Sequence, residues 1–257
     1  MRIGLIGTGN VATILGRKIT AAGHEVVQVY GRSAIHAQQL AAELQAAYTT
    51  DMDHLDPHAD LYIIAVADAA IASVAASLPL QDKLVVHTAG SVSKEVLKVA
   101  STRYGIFYPL QSLRKEMEQL PDIPLLIDAN TPDDLALLRD LALSLSTQVG
   151  VASDEQRLKL HVAAVMVSNF TNHLYTLAER YCQAEGADFS LLHPLIVQVA
   201  ERLQYMSPQD AQTGPAIRYD TPTIEKHMAL LEQHGEMKEL YAWFTKSIQK
   251  QAASGEL

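Results

Sequence analysis

Six residues near the start of the chain have the types and spacing to hold a phosphate. Gly7-Thr8-Gly9-Asn10-Val11-Ala12 follows an apolar run, Ile3–Ile6, and opens a helical pattern that reaches Ala22. Gly7 permits a tight turn, Gly9 lets the backbone approach a pyrophosphate, and small Ala12 and Gly16 let the helix lie close to the strand. The helix start adds free N–H groups and a positive dipole. A second β-rich run ends in Val29-Tyr30-Gly31-Arg32-Ser33. NAD sites usually place an acid here for the ribose hydroxyls. None is present, and Arg32 with Ser33 offers a cation and a hydroxyl to a 2′-phosphate. The expected cofactor is NADP in preference to NAD. On the structural alternative, Ser33 caps the next helix and Arg32 is solvated. Ala65, Val66 and Ala67 are expected to line the cofactor crevice, and Asp68 to be an N-cap. Thr88 and Gly90 lie on the loop where the nicotinamide end would rest. His87 serves either that loop or only the end of its strand.

A second set lies further along. At about 100° per residue, with His161 at zero, Ser168, Asn172 and Glu179 fall within about 20° of it, and Thr176 and Asn169 lie further round. This is a narrow polar stripe on an otherwise apolar helix. Buried polar groups need partners, and these are either a substrate or neighbouring helices and another subunit. His161 could act as an acid or base near neutral pH. It stands about 10 Å along the axis from Ser168, so the two are not expected to touch one small reacting centre. Gln111, at a strand end, and Arg218, a possible bidentate clamp for a carboxylate, complete the candidate set. The alternative for Arg218 is an ion pair with Asp220. His54 and His58 have metal-like spacing but sit in a polar stretch without further ligands, so no metal is expected.

These residues need a scaffold. Short β-rich runs at Ile3–Ile6, Glu25–Tyr30, Ala47–Thr49, Leu61–Val66, Lys83–His87 and Gly105–Tyr108 alternate with helical patterns. That is the signature of a parallel sheet with crossover helices. Two more runs, Pro124–Ile127 and Gln148–Val151, flank a helix over Pro132–Ser146 with Thr131 as N-cap. Beyond Asp154 the pattern is helical. One helix spans Ser153–Ala184, with a capping box from Ser153 to Gln156, and another continues to Tyr205. A polar loop, Ser207–Thr223, precedes two helices at Thr223–Gln233 and Glu236–Gln251. The expected fold is α/β: a Rossmann doubly wound parallel sheet in residues 1–152, then an all-helical substrate and dimerisation domain in 153–257.

Composition narrows the partners. Of 257 residues, 48% are hydrophobic and 19% charged, and the net charge of −9 is spread evenly over both halves. No basic face suggests nucleic acid, whose binding rests on phosphate neutralisation. The longest apolar stretch is broken by Ser168, Asn169 and Asn172, so no membrane span is expected. The one cysteine, Cys182, reads as a core residue and rules out an internal disulfide. With no leader pattern evident, the protein is expected to be cytoplasmic.

Residues 1–112 resemble the NADP-binding domains of pyrroline-5-carboxylate reductase, deazaflavin-dependent NADP reductases and prephenate dehydrogenase. Those families share the glycine-turn start, an N/G-R-S after the second strand and an all-helical second domain. The whole chain more closely resembles a bacterial family that joins such a domain to a helical domain of unknown function. Tyr108-Pro109-Leu110-Gln111-Ser112, Ser168-Asn169-Phe170-Thr171-Asn172-His173 and Gly214-Pro215-Ala216-Ile217-Arg218-Tyr219-Asp220 carry that likeness. It implies a helical domain of the 6-phosphogluconate dehydrogenase C-terminal type. It also implies a dehydrogenase or reductase, by analogy of fold. In β-hydroxyacid dehydrogenases and ketopantoate reductases, the matching helix carries a Lys and one or two Asn residues facing the nicotinamide. Ser168-Asn169 and Asn172 resemble the Asn part. The Lys is missing: Val165 stands one turn upstream and His161 another turn back. The expected protein is a homodimeric NADP-dependent oxidoreductase of a small carboxylate- or imine-bearing metabolite. The rival is a non-catalytic NADP-binding sensor, which would keep the cofactor site without an acid/base. Another adenosine-containing ligand is disfavoured by Arg32-Ser33.

Overall fold

The computed structural model describes residues 1–254 except Pro79 and Glu118. The chain forms two compact units, Met1–Asn169 and Phe170–Leu257.

The first unit is built on one sheet. Its strands are β1 (Arg2–Ile6), β2 (Glu25–Tyr30), β3 (Ala47–Thr49), β4 (Leu61–Ile64), β5 (Gln81–His87), β6 (Ser101–Pro109), β7 (Leu125–Ala129) and β8 (Val149–Val151). Their order is β3-β2-β1-β4-β5-β6-β7-β8, and the first six follow the Rossmann order 3-2-1-4-5-6. These six run parallel. β7 runs back antiparallel to β6, pairing Pro109 with Leu125, and β8 lies parallel to β7. The sheet is thus mixed where the sequence suggests a parallel one. The reason is local: among the described residues no helix lies between β6 and β7, and the chain turns back over 110–124.

Helices α1 (Asn10–Ala21), α2 (Ala34–Leu44), α3 (Ile71–Ala76) and α4 (Pro132–Leu145) connect the strands. Successive side chains of a strand point to opposite faces of the sheet, and along the central strands both sets are buried. Ile3, Leu5, Ile63, Leu84 and Val86 join one core with Ile14, Leu15 and Leu138. Ile6, Tyr62, Ile64 and Val85 join the other with Ile71 and Leu97. Both faces are therefore covered, which is why these strands read as continuous apolar runs.

Helix α5 (Asp154–Ala164) opens on the expected capping box. The Ser153 side chain accepts from Gln156 N, and the Gln156 side chain accepts from Ser153 N. A π-helical stretch, Val165–Phe170, separates α5 from α6 (Thr171–Ala184). The expected single helix is thus three stretches. A π stretch takes more residues per turn than an α-helix, so the 100° period fails beyond Val165.

The second unit is helical: α6, α7 (His193–Arg202), α8 (Thr221–Leu230) and α9 (Gly235–Ser254). It hides little. No residue of α7, α8 or α9 is buried. Among the described residues no helix is long and apolar enough to cross a membrane.

Candidate functional site

In a parallel sheet the loops after successive strands meet at one edge. The loops after β1, β2, β4, β5 and β6 do so here, and they carry two cavities.

The first cavity, about 520 Å³, lies over the glycine turn. Gly7 to Val11, Arg32, Ser33 and Ala65 to Ala67 all line it. Gly7 sits at φ +129°, and a Cβ there would stand 2.2 Å from the Ala65 carbonyl oxygen, so only glycine fits. A Cβ on Gly9 would meet nothing within 4 Å. Gly9 is the N-cap of α1, with no side-chain cap and no acid in the first turn. The first N–H groups of a twelve-residue helix thus face open space, the geometry that receives a phosphate. Gly16 performs the expected packing role, since a Cβ would lie 2.5 Å from Leu44 Cδ1 and 3.1 Å from Leu5 Cδ1.

At the far end of this cavity Ser33 caps α2, its hydroxyl accepting from His36 N at 3.4 Å. Exposed Arg32 makes no ion pair among the described residues. His36 lines the same cavity, a residue the motif-based reading missed; its place in the first turn after Arg32-Ser33 is the signal that could have found it. Thr88 and Gly90 lie outside the lining. Thr88 is buried and its hydroxyl donates to the Ile64 carbonyl at 3.4 Å.

The second cavity, about 490 Å³, is lined by His161, Ser168, Asn169, Val165, Gln111 and Tyr108, among others. His161 and Ser168 therefore border one space despite their separation along the helix. Tyr108, at the end of β6, is within hydrogen-bond reach of His161: Oη lies 3.0 Å from Nδ1, with the rings edge to face. Burial pushes the Tyr108 hydroxyl above its ordinary pKa, Asp68 pushes it the same way, and Arg157 opposes both. In the sequence Tyr108 stands out only as part of a family signature. Its 53-residue separation from His161 left no local signal.

Arg157, also missed, fixes this arrangement. It is 1% exposed. Its Nε donates to the Ala89 carbonyl at 3.1 Å, and Nη2 donates to the Val92 carbonyl and, at 2.9 Å, to Asp154 Oδ1. Asp154 Oδ1 also accepts from Lys94 N at 3.3 Å. The loop after β5 is thereby fastened to α5. Gly90 on that loop packs so closely that a Cβ would lie 2.7 Å from His161 Nδ1 and 2.9 Å from Tyr108 Cζ. The only signal for Arg157 is its place four residues before His161, on the same helix face.

Other expectations resolve differently. His87 is a structural residue: it is fully buried, its Nδ1 accepts from Ala89 N at 3.2 Å, and Nε2 faces the Ser93 carbonyl at 3.3 Å. Burial lowers its pKa to about 4, so it stays neutral. Asp68 lies inside a short 3-10 turn whose N-cap is Ala67, and its carboxylate accepts from Ser91 Oγ at 2.7 Å. Asn172 is exposed on α6, outside the His161 cavity. Exposed Asn169 likewise lacks the burial that a packed stripe would give it. Arg218 is exposed in the second unit, while the Asp220 carboxylate caps α8 through Thr223. His54 pairs with Asp51 at 2.8 Å, and among the described residues no group of three ligating side chains could hold a metal.

One segment spans both cavities. The loop over 110–124 carries Gln111 beside His161, while Lys115 N donates to Asn10 Oδ1 at 3.2 Å. Arg17 and Lys18 of α1 donate to the Lys115 and Pro121 carbonyls at 2.7 and 2.8 Å.

Residues 2–90 match a family model described as NADP oxidoreductase, coenzyme F420-dependent. Residues 123–248 match a domain of unknown function, DUF2520. The comparison with curated proteins returns no match. An imine reductase from Myxococcus stipitatus, solved with NADP+, shares the fold at 17% identity and a TM-score of 0.66, over 99% of this chain and 95% of its own. A protein of Thermotoga maritima is 25% identical at a TM-score of 0.83, over 98% of this chain and 99% of its own. A candidate NADP oxidoreductase from Bacteroides fragilis is 39% identical at a TM-score of 0.88, over 97% of this chain and 98% of its own. With that identity across nearly the whole of both chains, the protein belongs to the NADP oxidoreductase family of its Bacteroides fragilis relative.

Proposed function

We propose that the protein is an NADP-dependent oxidoreductase of a small metabolite carrying a carboxylate and a C=N or C=O group. One observation carries the reading: the phosphate-fitting turn at Gly7–Val11 and the His161 cavity stand on the same edge of one sheet. Gly9 and the start of α1 take the pyrophosphate, and Arg32 and Ser33 take the 2′-phosphate. When bound, the nicotinamide supplies or accepts a hydride. Gln111, Ser168 and Asn169 orient the substrate, and His161 manages the proton. On this reading residues 1–152 hold the cofactor and supply Gln111, and 153–257 bring the other substrate groups.

The presence of His161 beside Tyr108 favours an enzyme over a sensor, because a sensor needs no acid/base. We also place the enzyme in the cytoplasm, as its single buried thiol, Cys182, suits a reducing compartment. We read it as a two-fold homodimer through the helical unit, whose α7 and α9 leave Leu195 and Trp243 55% and 64% exposed.

The test is calorimetric titration with NADPH and NADH. It is joined to an absorbance screen of NADPH oxidation against cyclic imines and 2-oxo acids, and of NADP+ reduction against amino and hydroxy acids. Tight NADPH binding with turnover of one class supports the enzyme. Tight binding with no turnover across the screen favours the sensor, and no binding refutes both.

A further inference from the structure

We infer that Tyr108 is the group that hands the proton to the substrate and that His161 is the reservoir that restores it. This deepens the oxidoreductase reading and rests on it. Three observations converge. Tyr108 and His161 both line the 490 Å³ cavity, so either can meet a ligand there. Their polar atoms are 3.0 Å apart. The pair is held from behind: Gly90 leaves no room for even a methyl group, and Arg157 ties the Gly90 loop to the helix that bears His161.

The chemistry follows from the order of the groups. Reduction of a C=N or C=O bond adds a hydride to carbon, with NADPH as its source, and a proton to nitrogen or oxygen. The Tyr108 O–H bond breaks as the new N–H or O–H bond forms. The imidazolium of His161 then gives its Nδ1 proton to the phenolic oxygen. Tyr108 ends neutral, His161 ends as the neutral imidazole, and water returns its proton. The phenol is suited to relaying because burial disfavours its anion, so it does not persist as phenolate. The charged groups bearing on Tyr108 are Asp68, from the turn after β4, and Arg157, from α5. The relay also accounts for a site without a lysine on this helix, since Tyr108 reaches the cavity from the sheet instead.

The test uses the full-length protein and four variants: Tyr108→Phe, His161→Gln, the double variant, and Gly90→Ala, which keeps both partners but wedges them apart. The first readout needs no substrate. The protonation of His161 is followed by NMR of isotope-labelled imidazole in wild type and Tyr108→Phe. The relay requires the titration midpoint to move when the phenol is removed, and an unmoved midpoint overturns it.

The second readout is NADPH oxidation with 2-methyl-1-pyrroline and with pyruvate as probes. Tyr108→Phe, His161→Gln and Gly90→Ala should each lower kcat by about 100-fold or more, the scale of general acid catalysis. The double variant should be no worse than the poorer single one, and NADPH affinity should hold. A Tyr108→Phe enzyme within about threefold of wild type overturns the relay. A wild type inert to both probes counts against the oxidoreductase reading instead, and the relay still stands or falls on the His161 titration.

Discussion

Arg157 Nε donates to the carbonyl of Ala89, 68 residues away in sequence, at 3.1 Å. A fully buried guanidinium fastens the loop after β5 to the first turns of α5. Breaking such a contact leaves the Ala89 and Val92 carbonyls without their guanidinium donor and strips the Asp154 carboxylate of one donor, while Lys94 N still donates to it. Arg157→Ala should therefore cost roughly 3 kcal/mol of stability, read by urea unfolding of the whole chain. A loss below about 1 kcal/mol would contradict the role given to it here.

Gly7 and Gly9 should separate folding from binding. Gly7→Ala meets both a positive φ and the Ala65 carbonyl, so it should destabilise the fold by about 1–3 kcal/mol. Gly9→Val should melt close to wild type, because nothing lies within 4 Å of a Cβ there, yet lose NADPH binding as the branched side chain fills the phosphate space. Melting curves and calorimetry on the two variants decide it. Retained binding in Gly9→Val would move the cofactor elsewhere.

Cofactor choice should lie with Arg32. NADPH should bind more tightly than NADH by on the order of 1–3 kcal/mol, the scale of a charge-assisted hydrogen bond. Arg32→Asp should reverse the order. Equal affinities in the wild type, or an Arg32→Asp variant that still prefers NADPH, would reject the assignment.

These predictions rest on features of unequal legibility. The Gly7–Ala12 turn, the Ser153 capping box and the missing acid after β2 are all visible in the sequence, because each is a local rule about a few adjacent residues. The Tyr108–His161 and Arg157–Ala89 contacts are not, because each joins residues more than fifty positions apart through the order of the strands. The π stretch at Val165–Phe170 is hidden for another reason. A helical period read from sequence assumes one pitch throughout, so a stripe from His161 to Asn172 at 100° per residue has the wrong pitch. The reversal of β7 is hidden because an apolar run carries no sign of its direction.

His87 should leave its mark on the pH dependence of stability. Burial holds its pKa near 4 in the folded chain, against 6.5 when exposed. Between these values the unfolded chain binds more protons, so stability falls as pH drops from about 6.5 towards 4 and this contribution is intact above that range. The full loss is about 3 kcal/mol at 1.36 kcal/mol per pH unit. His87→Gln should flatten the difference, as measured by urea midpoints at pH 4.5 and 7.5. Parallel curves for variant and wild type would show that His87 is not the group responsible.

The helical unit should associate. Light scattering should give twice the 28.1 kDa chain mass at micromolar concentration. Leu195→Glu combined with Trp243→Glu should give monomers with helix content intact. A monomeric wild type would remove the dimer.

The return of β7 alongside β6 has one more consequence. A parallel successor would have required the chain to cross to the opposite edge of the sheet before pairing again. Here Pro109 and Leu125 are register partners, so the two ends of the loop over 110–124 stand side by side. Its length is therefore uncoupled from the sheet, and doubling such a loop costs only about 0.6 kcal/mol in closure entropy. The exposed stretch at Gln111 and Ser112, ahead of buried Leu113, is where this loop can take insertions beside the His161 cavity. Lineages descended from this fold can resize the substrate space there while every strand stays in place.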